Sequence, residues 1–241
     1  MQKIGIIIPT YNEGREVIRL ITEINKKITI NKILIIDDSF DSKIKNIHLL
    51  FNNVIYINRK KKLGRGSAVI SGLRILKKLG NNVFIEMDAD FSHNPNEIRK
   101  NILIFNKKKL DLLIASRYLK KSKIINWPMN RKIFSKISNL LAKFLLRIPV
   151  SDYTNGFRIY SKKATEVIVK KCGKIGDGFI ILSEILMELH LYKLNIGETS
   201  TTFVNRKRGE SSVNVNLIYK SFIGLIKIYL KKKKYFNFRD R

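Results

Sequence analysis

The chain has 241 residues, 44% of them hydrophobic, which is enough for one sizeable α/β domain with a proper core. Its 48 Lys and Arg against 19 Asp and Glu give a formal charge of +29, which fits either an anionic partner or a lysine-rich solvated surface. The single cysteine, Cys172, excludes an internal disulfide and a zinc knuckle.

Apolar runs alternate with longer amphipathic segments along the first half of the chain. Near-continuous Ile, Leu and Val are typical of strands buried on both faces, and they predict strands at 3–10, 32–38, 53–58, 82–90 and 110–116. Helical spacing of apolar residues predicts crossover helices at 13–28, 66–80 and 94–109. This alternation predicts an α/β fold with a doubly wound, mainly parallel, Rossmann-like sheet flanked by helices.

The acidic pair Asp88 and Asp90 falls at the end of the fourth predicted strand, in "EMDADFSH". Residues i and i+2 of a strand face the same way, so two carboxylates would lie within roughly 7 Å of each other. A divalent cation such as Mg²⁺ or Mn²⁺, bound together with a diphosphate, would remove their mutual repulsion. A D-x-D triplet is expected about once by chance in a chain of this length, so its position after a strand carries the prediction. Asp37 and Asp38 likewise end the second predicted strand.

The C-terminal part of the chain differs in composition from the rest. We predict one domain over 1–215 and a basic amphipathic extension over 216–241. Apolar residues recur there at helical spacing before a run of four lysines, at Ile218, Phe222, Leu225, Ile226 and Tyr229. The helix either packs on the core or lies on an anionic bilayer, where each nearby Lys adds roughly 1 kcal/mol. Neither this segment nor the N-terminal apolar run has the length of a membrane span.

Eight segments follow one another with a spacing that points to a known family. They are "IIIPTYNE", "IIDDSFD", "KLGRGSAVISGL", "MDADFSH", "ASRY", "NWPMNRKIFSKISN", "DYTNGFRIY" and "RKRGESS". From about residue 4 to 213 the chain thus resembles the dolichol-phosphate mannose synthase branch of the family 2 glycosyltransferases. The run "DDSFD" is one residue shorter than the family pattern, so the choice of donor is the least determined part of the resemblance.

The resemblance implies a GT-A fold and an inverting hexosyltransferase like dolichyl-phosphate β-D-mannosyltransferase. It implies a nucleotide-sugar donor, GDP-mannose first and UDP- or GDP-linked glucose or another hexose next, with Mg²⁺ or Mn²⁺ at the D-x-D motif. The implied acceptor is a polyprenyl phosphate such as dolichyl phosphate. We therefore expect a cytoplasmic protein held peripherally on the cytoplasmic face of a membrane, with a membrane-anchored protein as a further candidate partner and no nucleic acid.

The family pattern also implies roles for individual residues. The nucleotide pocket would comprise Pro9, Tyr11 and Glu13, with Ile36 and Asp38 near the base. The donor diphosphate would lie along Asp88, Ala89 and Asp90, with Asp90 as the metal ligand, Ser92 near the ion and Arg206 closing over the phosphates. The catalytic set would be Asp90, Arg117, Arg131 and Ser135, with Arg117 between the donor and acceptor phosphates and the last two on the acceptor phosphate.

Reasoning from the residues agrees with this chemistry and leaves two alternatives. The planar guanidinium group of Arg117 can bind two phosphate oxygens at once. Arg131 and Ser135 are four residues apart, so they share a face if this segment is helical. A phosphate monoester is anionic at neutral pH, so no general base is required. A hydroxyl acceptor would need one, and Glu184 is the candidate. The remote alternative is a basic nucleic-acid-binding protein, although no recognised nucleic-acid-binding module is present.

Overall fold

The computed structural model describes residues 2–176, 178, 180–205 and 215–239. The strands of the described part are β1 Ile4–Thr10, β2 Lys32–Asp37, β3 Val54–Asn58, β4 Val83–Glu86, β5 Leu112–Ser116, β6 Lys123–Ile125, β7 Arg158–Ser161, β8 Ile196–Ser200 and β9 Thr202–Val204. The α-helices of the same part are α1 Glu16–Lys27, α2 Arg65–Lys78, α3 Ile98–Lys107, α4 Met129–Leu146, α5 Lys162–Lys171, α6 Ile180–Leu191 and α7 Val215–Arg239.

The main sheet has the strand order β3-β2-β1-β4-β7-β5-β8 within the described residues. Strand β7 is antiparallel to both of its neighbours, β4 and β5, whereas the other pairs of neighbours run parallel. The predicted α/β, mainly parallel sheet with flanking helices is confirmed. A separate small sheet pairs β6 with β9.

The core lies on both faces of the sheet, as the continuous apolar strands predict. In β1, Ile6 and Ile8 belong to the cluster that α1 and α3 cover, while Ile7 belongs to the cluster beneath α2. Gly72 brings α2 close to the sheet, because a Cβ at this position would lie 2.7 Å from a methyl group of Ile7. This close packing places Arg65, the first residue of α2, against the carboxyl end of β4.

Strand β4 ends four residues earlier than predicted, and this changes the geometry of the acidic pair. Its last residue, Glu86, still pairs with both neighbouring strands, but the backbone N–H of Asp88 donates to Nδ1 of His93 (3.0 Å) instead of continuing the ladder. Asp88 and Asp90 therefore lie in a bend after the strand, followed by Phe91 at φ 60°. The expectation that their carboxylates share one strand face is wrong, because an imidazole rather than a strand accepts this N–H.

Helix α7 packs against α6 and α4. Leu225 and Ile228 are buried in the core, whereas Phe222, Ile226 and Tyr229 are exposed, so the predicted apolar stripe is divided between the core and the surface. The boundary between a domain over 1–215 and an extension over 216–241 stays a prediction. In the part of the chain that the structure describes, no helix combines the length and hydropathy needed to cross a bilayer.

Candidate functional site

A cleft of about 1010 Å³ opens at the carboxyl ends of β1, β4 and β5, where ligands of doubly wound sheets bind. Its walls come from the loops after the first five strands, from the loop before β7, and from α2, α4, α6, α7 and β9. Most of the predicted site residues line this one cleft: Pro9, Tyr11, Glu13, Asp38, Asp88, Ala89, Asp90, Ser92, Arg117, Arg131 and Ser135. Tertiary structure thus brings together side chains that are more than a hundred residues apart.

At one end of the cleft, Asp38 holds the loop that leads into α2. One carboxylate oxygen accepts from Nε of Arg59 (2.5 Å), and the other accepts the backbone N–H groups of Leu63 and Gly64 (2.9 Å each). Tyr11 is 42% exposed, and Nζ of Lys62 lies 4.4 Å from its ring centroid. This end therefore offers the exposed ring of Tyr11 and the ammonium group of Lys62, whose loop is held by the buried Asp38. A nucleotide base could stack on the ring while its phosphates lie near the lysine.

The first acid of the D-x-D motif is engaged by an arginine of α2. Oδ1 of Asp88 accepts from Nη2 (2.8 Å) and Nε (3.1 Å) of Arg65. Nη1 of Arg65 donates to Glu86, which is fully buried and also accepts from the hydroxyl of Tyr160 (2.6 Å). Burial alone would raise the pKa of Asp88, but the charge and hydrogen bonds of Arg65, together with other nearby positive groups, lower that pKa to about 2. Asp88 is therefore a carboxylate whose charge is already balanced.

The second acid, Asp90, is differently placed. Its Oδ1 accepts the backbone N–H of Ser92 (3.0 Å), and it forms no ion pair within the described residues. The buried hydroxyl of Ser92 has no hydrogen-bond partner there either, and both residues line the cleft. A half-buried carboxylate beside an unsatisfied hydroxyl is a donor set that a hard divalent cation accepts.

His93 contacts the backbone of this bend but does not line the cleft. Its ring is buried, stacks on Phe157 at 5.2 Å between centroids, and bonds through Nε2 to Oδ1 of Asn155 (2.9 Å). Because Nδ1 accepts the N–H of Asp88, the ring holds the D-x-D backbone in place. Its position supports a structural role rather than that of a general base.

Arg117 lines the cleft and forms a buried bidentate pair. Its Nε and Nη2 donate to the two carboxylate oxygens of Asp152 (2.8 Å each), and Nη2 also donates to Oγ1 of Thr154 (2.7 Å). Burial opposes the charge of both partners, but their attraction raises the pKa of Arg117 and lowers that of Asp152. Nη1 makes no hydrogen bond with a described residue, so Arg117 has one donor group left for a ligand.

The other predicted phosphate ligands lie on α4. Arg131 and Ser135 both line the cleft, as their spacing of four residues on one helix predicts. The Ser135 hydroxyl pairs with that of Tyr118 (2.7 Å). The ring of Trp127 lies 5.4 Å from the guanidinium carbon of Arg117 and 5.9 Å from that of Arg131, so one aromatic ring contacts both cations.

Three residues considered from the sequence are not in the cleft wall of the described structure. The side chain of Ile36 is buried in the core, because alternation along β2 turns it toward α2, so it cannot line a base pocket. Glu184 is buried, with Oε2 accepting the N–H of Gly173 (2.9 Å), and burial raises its pKa. Its position does not support a role as general base in this cleft. Arg206 lies outside the described residues.

Sequence reasoning missed the buried partners Arg65, Glu86 and Asp152 and the aromatic contact of Trp127. Arg65 lies in the family segment "KLGRGSAVISGL", but nothing in the spacing of this segment indicates that Arg65 faces an acid 23 residues later. Two acids in the sequence could have pointed to buried ion pairs. Glu86 lies within an apolar strand, where a buried acid needs a partner, and Asp152 opens the segment "DYTNGFR".

Comparison with known proteins identifies relatives of this chain. The profile described as Glycosyl transferase family 2 matches residues 5–169. A dolichol-phosphate mannosyltransferase of Pyrococcus furiosus is 34% identical over 224 residues, which are 90% of this chain and 61% of that protein. The chain thus spans about three fifths of the length of this relative. An undecaprenyl-phosphate mannosyltransferase of Micrococcus luteus is 28% identical over 233 residues, covering 91% of this chain and 90% of that protein.

Among solved structures, a glucosyl-3-phosphoglycerate synthase from Mycobacterium tuberculosis superposes with a TM-score of 0.65 at 15% sequence identity. The match covers 96% of this chain and 80% of that one. That enzyme was crystallised with Mn²⁺, uridine diphosphate and glucosyl-3-phosphoglycerate. At this identity the likeness concerns the fold alone, and it confirms the GT-A fold class.

Proposed function

This chain belongs to glycosyl transferase family 2, as its motifs predict, and on that premise we propose that it transfers a hexose from a nucleotide sugar to a polyprenyl phosphate. Mannose from GDP-mannose is the first choice of donor, because both curated relatives described above are named as mannosyltransferases of prenyl phosphates. Dolichyl phosphate and its shorter analogues are the corresponding acceptors.

One observation carries the proposal. The same cleft holds the acidic bend, which we call the acidic side, with Asp90 in no described ion pair, and two arginines beside the hydroxyl of Ser135, Arg117 and Arg131, which we call the arginine side. A sugar diphosphate can lie against the acids and a phosphate monoester against the arginines. The two reactants would then meet within one enclosure, so positioning supplies much of the rate.

The acidic side fits a divalent cation, with Asp90 and the unsatisfied hydroxyl of Ser92 as the groups that would hold it. Mg²⁺ or Mn²⁺ bound there would neutralise the charge of the departing nucleoside diphosphate. The remaining chemistry belongs to the chain. Arg117 contributes a buried positive charge and an Nη1 that bonds to no described residue, and Lys62 lies with its Nζ 4.4 Å from the centroid of the Tyr11 ring.

The arginine side suits a phosphate acceptor rather than a hydroxyl. A phosphate monoester attacks as an anion, so the protein needs to bind and orient it without removing a proton. Arg131 and Ser135 present a cation and a hydroxyl from one helix face, and Trp127 packs beside them. No carboxylate that could act as base is needed, which agrees with the position of Glu184 away from the cleft.

A membrane surface is the proposed location of the lipid acceptor. Helices α4 and α7 expose apolar side chains that we call the α4–α7 face: Met129, Ile133, Ile137, Leu140 and Phe144 on α4, and Phe222, Ile226 and Leu230 on α7. Both helices also line the cleft, through Phe134, Leu141 and Leu225 among others. The chain's charge of +29 favours an anionic bilayer. A prenyl chain in the bilayer would then lead its phosphate to the cleft.

The donor and acceptor are tested with a panel of nucleotide sugars and a short-chain prenyl phosphate, with and without Mn²⁺. We expect an acid-labile mannolipid from GDP-mannose, detected by mass spectrometry, and no product in the presence of a chelator. If a glucolipid forms from UDP-glucose instead, the proposed reaction class is retained and the proposed donor is wrong. If no donor yields a glycolipid and none raises the melting temperature, the proposed function is wrong.

The α4–α7 face is tested by changing Ile133, Leu140 and Phe144 together to Ser, since all three are exposed and none lines the cleft. Flotation with anionic vesicles should fall at least about tenfold, because apolar burial of each side chain contributes roughly 1–3 kcal/mol. Turnover of a short, water-soluble acceptor should be retained.

The matched control changes Leu49, Leu50 and Leu103 to Ser, which removes three exposed apolar side chains elsewhere and should leave flotation unchanged. Equal flotation of the two triple variants would exclude the α4–α7 face as the membrane contact. Deleting 216–241 is a poorer test, because Leu225 and Ile228 belong to the core.

A further inference from the structure

Arg65 is enclosed at the D-x-D bend by contacts on several sides. Its guanidinium bridges the buried Glu86 and Oδ1 of Asp88, with Nη2 and Nε at 2.8 and 3.1 Å from that oxygen. Glu86 is itself held by the hydroxyl of Tyr160 (2.6 Å). A Cβ on Gly156 would overlap the guanidinium, so only a glycine leaves room for it. The position of Arg65 is thus determined by two separate segments of the chain, 86–88 and 156–160.

This arrangement makes the two acids of the motif unequal. Oδ1 of Asp88 has two lone pairs and accepts two guanidinium N–H groups, and its Oδ2 faces Nε2 of His93 at 3.7 Å. Asp90 accepts one backbone N–H and pairs with no described cation. A cation arriving at this edge would find one carboxylate, Asp88, whose charge Arg65 already balances, and a second, Asp90, that pairs with no described cation.

We propose that Arg65 is a positioning residue that keeps Asp88 from ligating the divalent cation, so that the cation is retained by Asp90 together with the diphosphate of the donor. The inference rests on the cation that the proposed function requires. A fixed positive charge beside the site repels a free cation, while the diphosphate brings the negative charge that offsets it. The site therefore binds the cation weakly alone and well with a nucleoside diphosphate. This couples loading of the cation to loading of the donor.

The experiment measures Mn²⁺ binding by the loss of the free-ion signal in electron paramagnetic resonance, first without nucleotide and then with GDP. The main variant combines Arg65→Met with Glu86→Gln, so that no buried carboxylate loses its partner and the amide can still accept from Tyr160. Without nucleotide, this variant should bind Mn²⁺ at least about tenfold more tightly than the unchanged protein, because Asp88 loses its guanidinium partner and becomes available as an oxygen ligand, while the loss of one positive and one negative charge leaves the net charge unchanged. Adding Asp88→Asn should abolish the gain.

Arg74→Met is the matched control, because it removes the same charge from an exposed position of the same helix. Its Mn²⁺ affinity should stay within about twofold of the unchanged protein, because exposed charges are screened. Arg65→Lys is a second variant that retains the charge beside Glu86. A single ammonium group cannot bond to Glu86 and Asp88 as the guanidinium group does, so Asp88 is held less firmly and Mn²⁺ binding should tighten about threefold.

The inference is overturned if the folded variants bind free Mn²⁺ no more tightly than the unchanged protein. It is also overturned if the gain persists with Asp88→Asn, since the gain would then not come from that carboxylate. Absence of Mn²⁺ binding in every protein, even with GDP, would reject the cation of the proposed function and this inference with it. Glycolipid synthesis that persists with normal cation dependence while Arg65 variants bind Mn²⁺ unchanged would reject the inference alone.

Discussion

Asp90→Asn is expected to lower kcat/KM for hexose transfer by about 10²–10³, the loss typical when a group that stabilises developing charge is removed. The reason is that Asp90 is the carboxylate of the D-x-D bend left open to a cation, with only the N–H of Ser92 on its Oδ1. Steady-state kinetics over a range of Mn²⁺ concentrations measures the effect, and the concentration needed for half-maximal rate should rise.

Glu23→Gln is the control for this variant, because it removes one carboxylate charge from α1, where Glu23 pairs with Lys26 (2.9 Å). It should leave both the rate and the Mn²⁺ requirement unchanged. The melting temperature of the Asp90 variant should also remain close to that of the unchanged protein, since Asp90 forms no ion pair among the described residues. Full activity of Asp90→Asn would show that the cation is held elsewhere.

Asp152→Ala is expected to lower the free energy of unfolding by about 3–5 kcal/mol, because it leaves the buried charge of Arg117 without its partner. Asp152 is fully buried and accepts the backbone N–H and two side-chain N–H groups of Arg117 at 2.8–2.9 Å. It also accepts the N–H groups of Thr154 and Asn155 (3.1 and 3.0 Å). Urea denaturation followed by fluorescence of the single tryptophan, Trp127, measures the change.

Glu166→Ala breaks an exposed pair with Lys77 (3.4 Å) and should cost less than about 1 kcal/mol, which sets the scale for the buried pair. Since the folded-state pKa of Asp152 is lowered, its contribution to stability is present above the ordinary Asp value and is lost as the pH falls through the folded-state pKa. A loss no larger for Asp152→Ala than for Glu166→Ala would contradict the structural role of the pair.

Predictions for the first half of the chain were the most accurate, for a physical reason. Strands β1, β2, β3 and β5 begin and end within two residues of the predicted bounds, because a strand buried on both faces needs a continuous apolar run. Strand β4 was extended too far, since its termination depends on the bond between the N–H of Asp88 and His93. The antiparallel β7 and the strand β8 carry no such continuous run, so their places in the sheet were not foreseen.

The candidate site was predictable wherever a ligand-facing residue follows a strand or repeats on a helix face. That logic indicated Asp88 and Asp90 and agreed with Arg117, whereas Arg131 and Ser135 rested largely on the family resemblance, and all five line the cleft. The family pattern placed Ile36 near the base, but its side chain lies in the core, as an isoleucine of a strand buried on both faces should. The family resemblance implied the roles of the site residues, and the structure showed that their side chains lie in one cleft.

The amino-acid sequence by itself determined the α/β class, the strands of the sheet's parallel half, the acids at the strand ends and the excess of positive charge. Only the tertiary structure decided that one acid of the D-x-D bend is neutralised and the other is open. That difference depends on an ion pair between residues 23 positions apart and on the space left by Gly156. Contacts of this kind arise from packing in three dimensions, which local patterns along a chain do not encode.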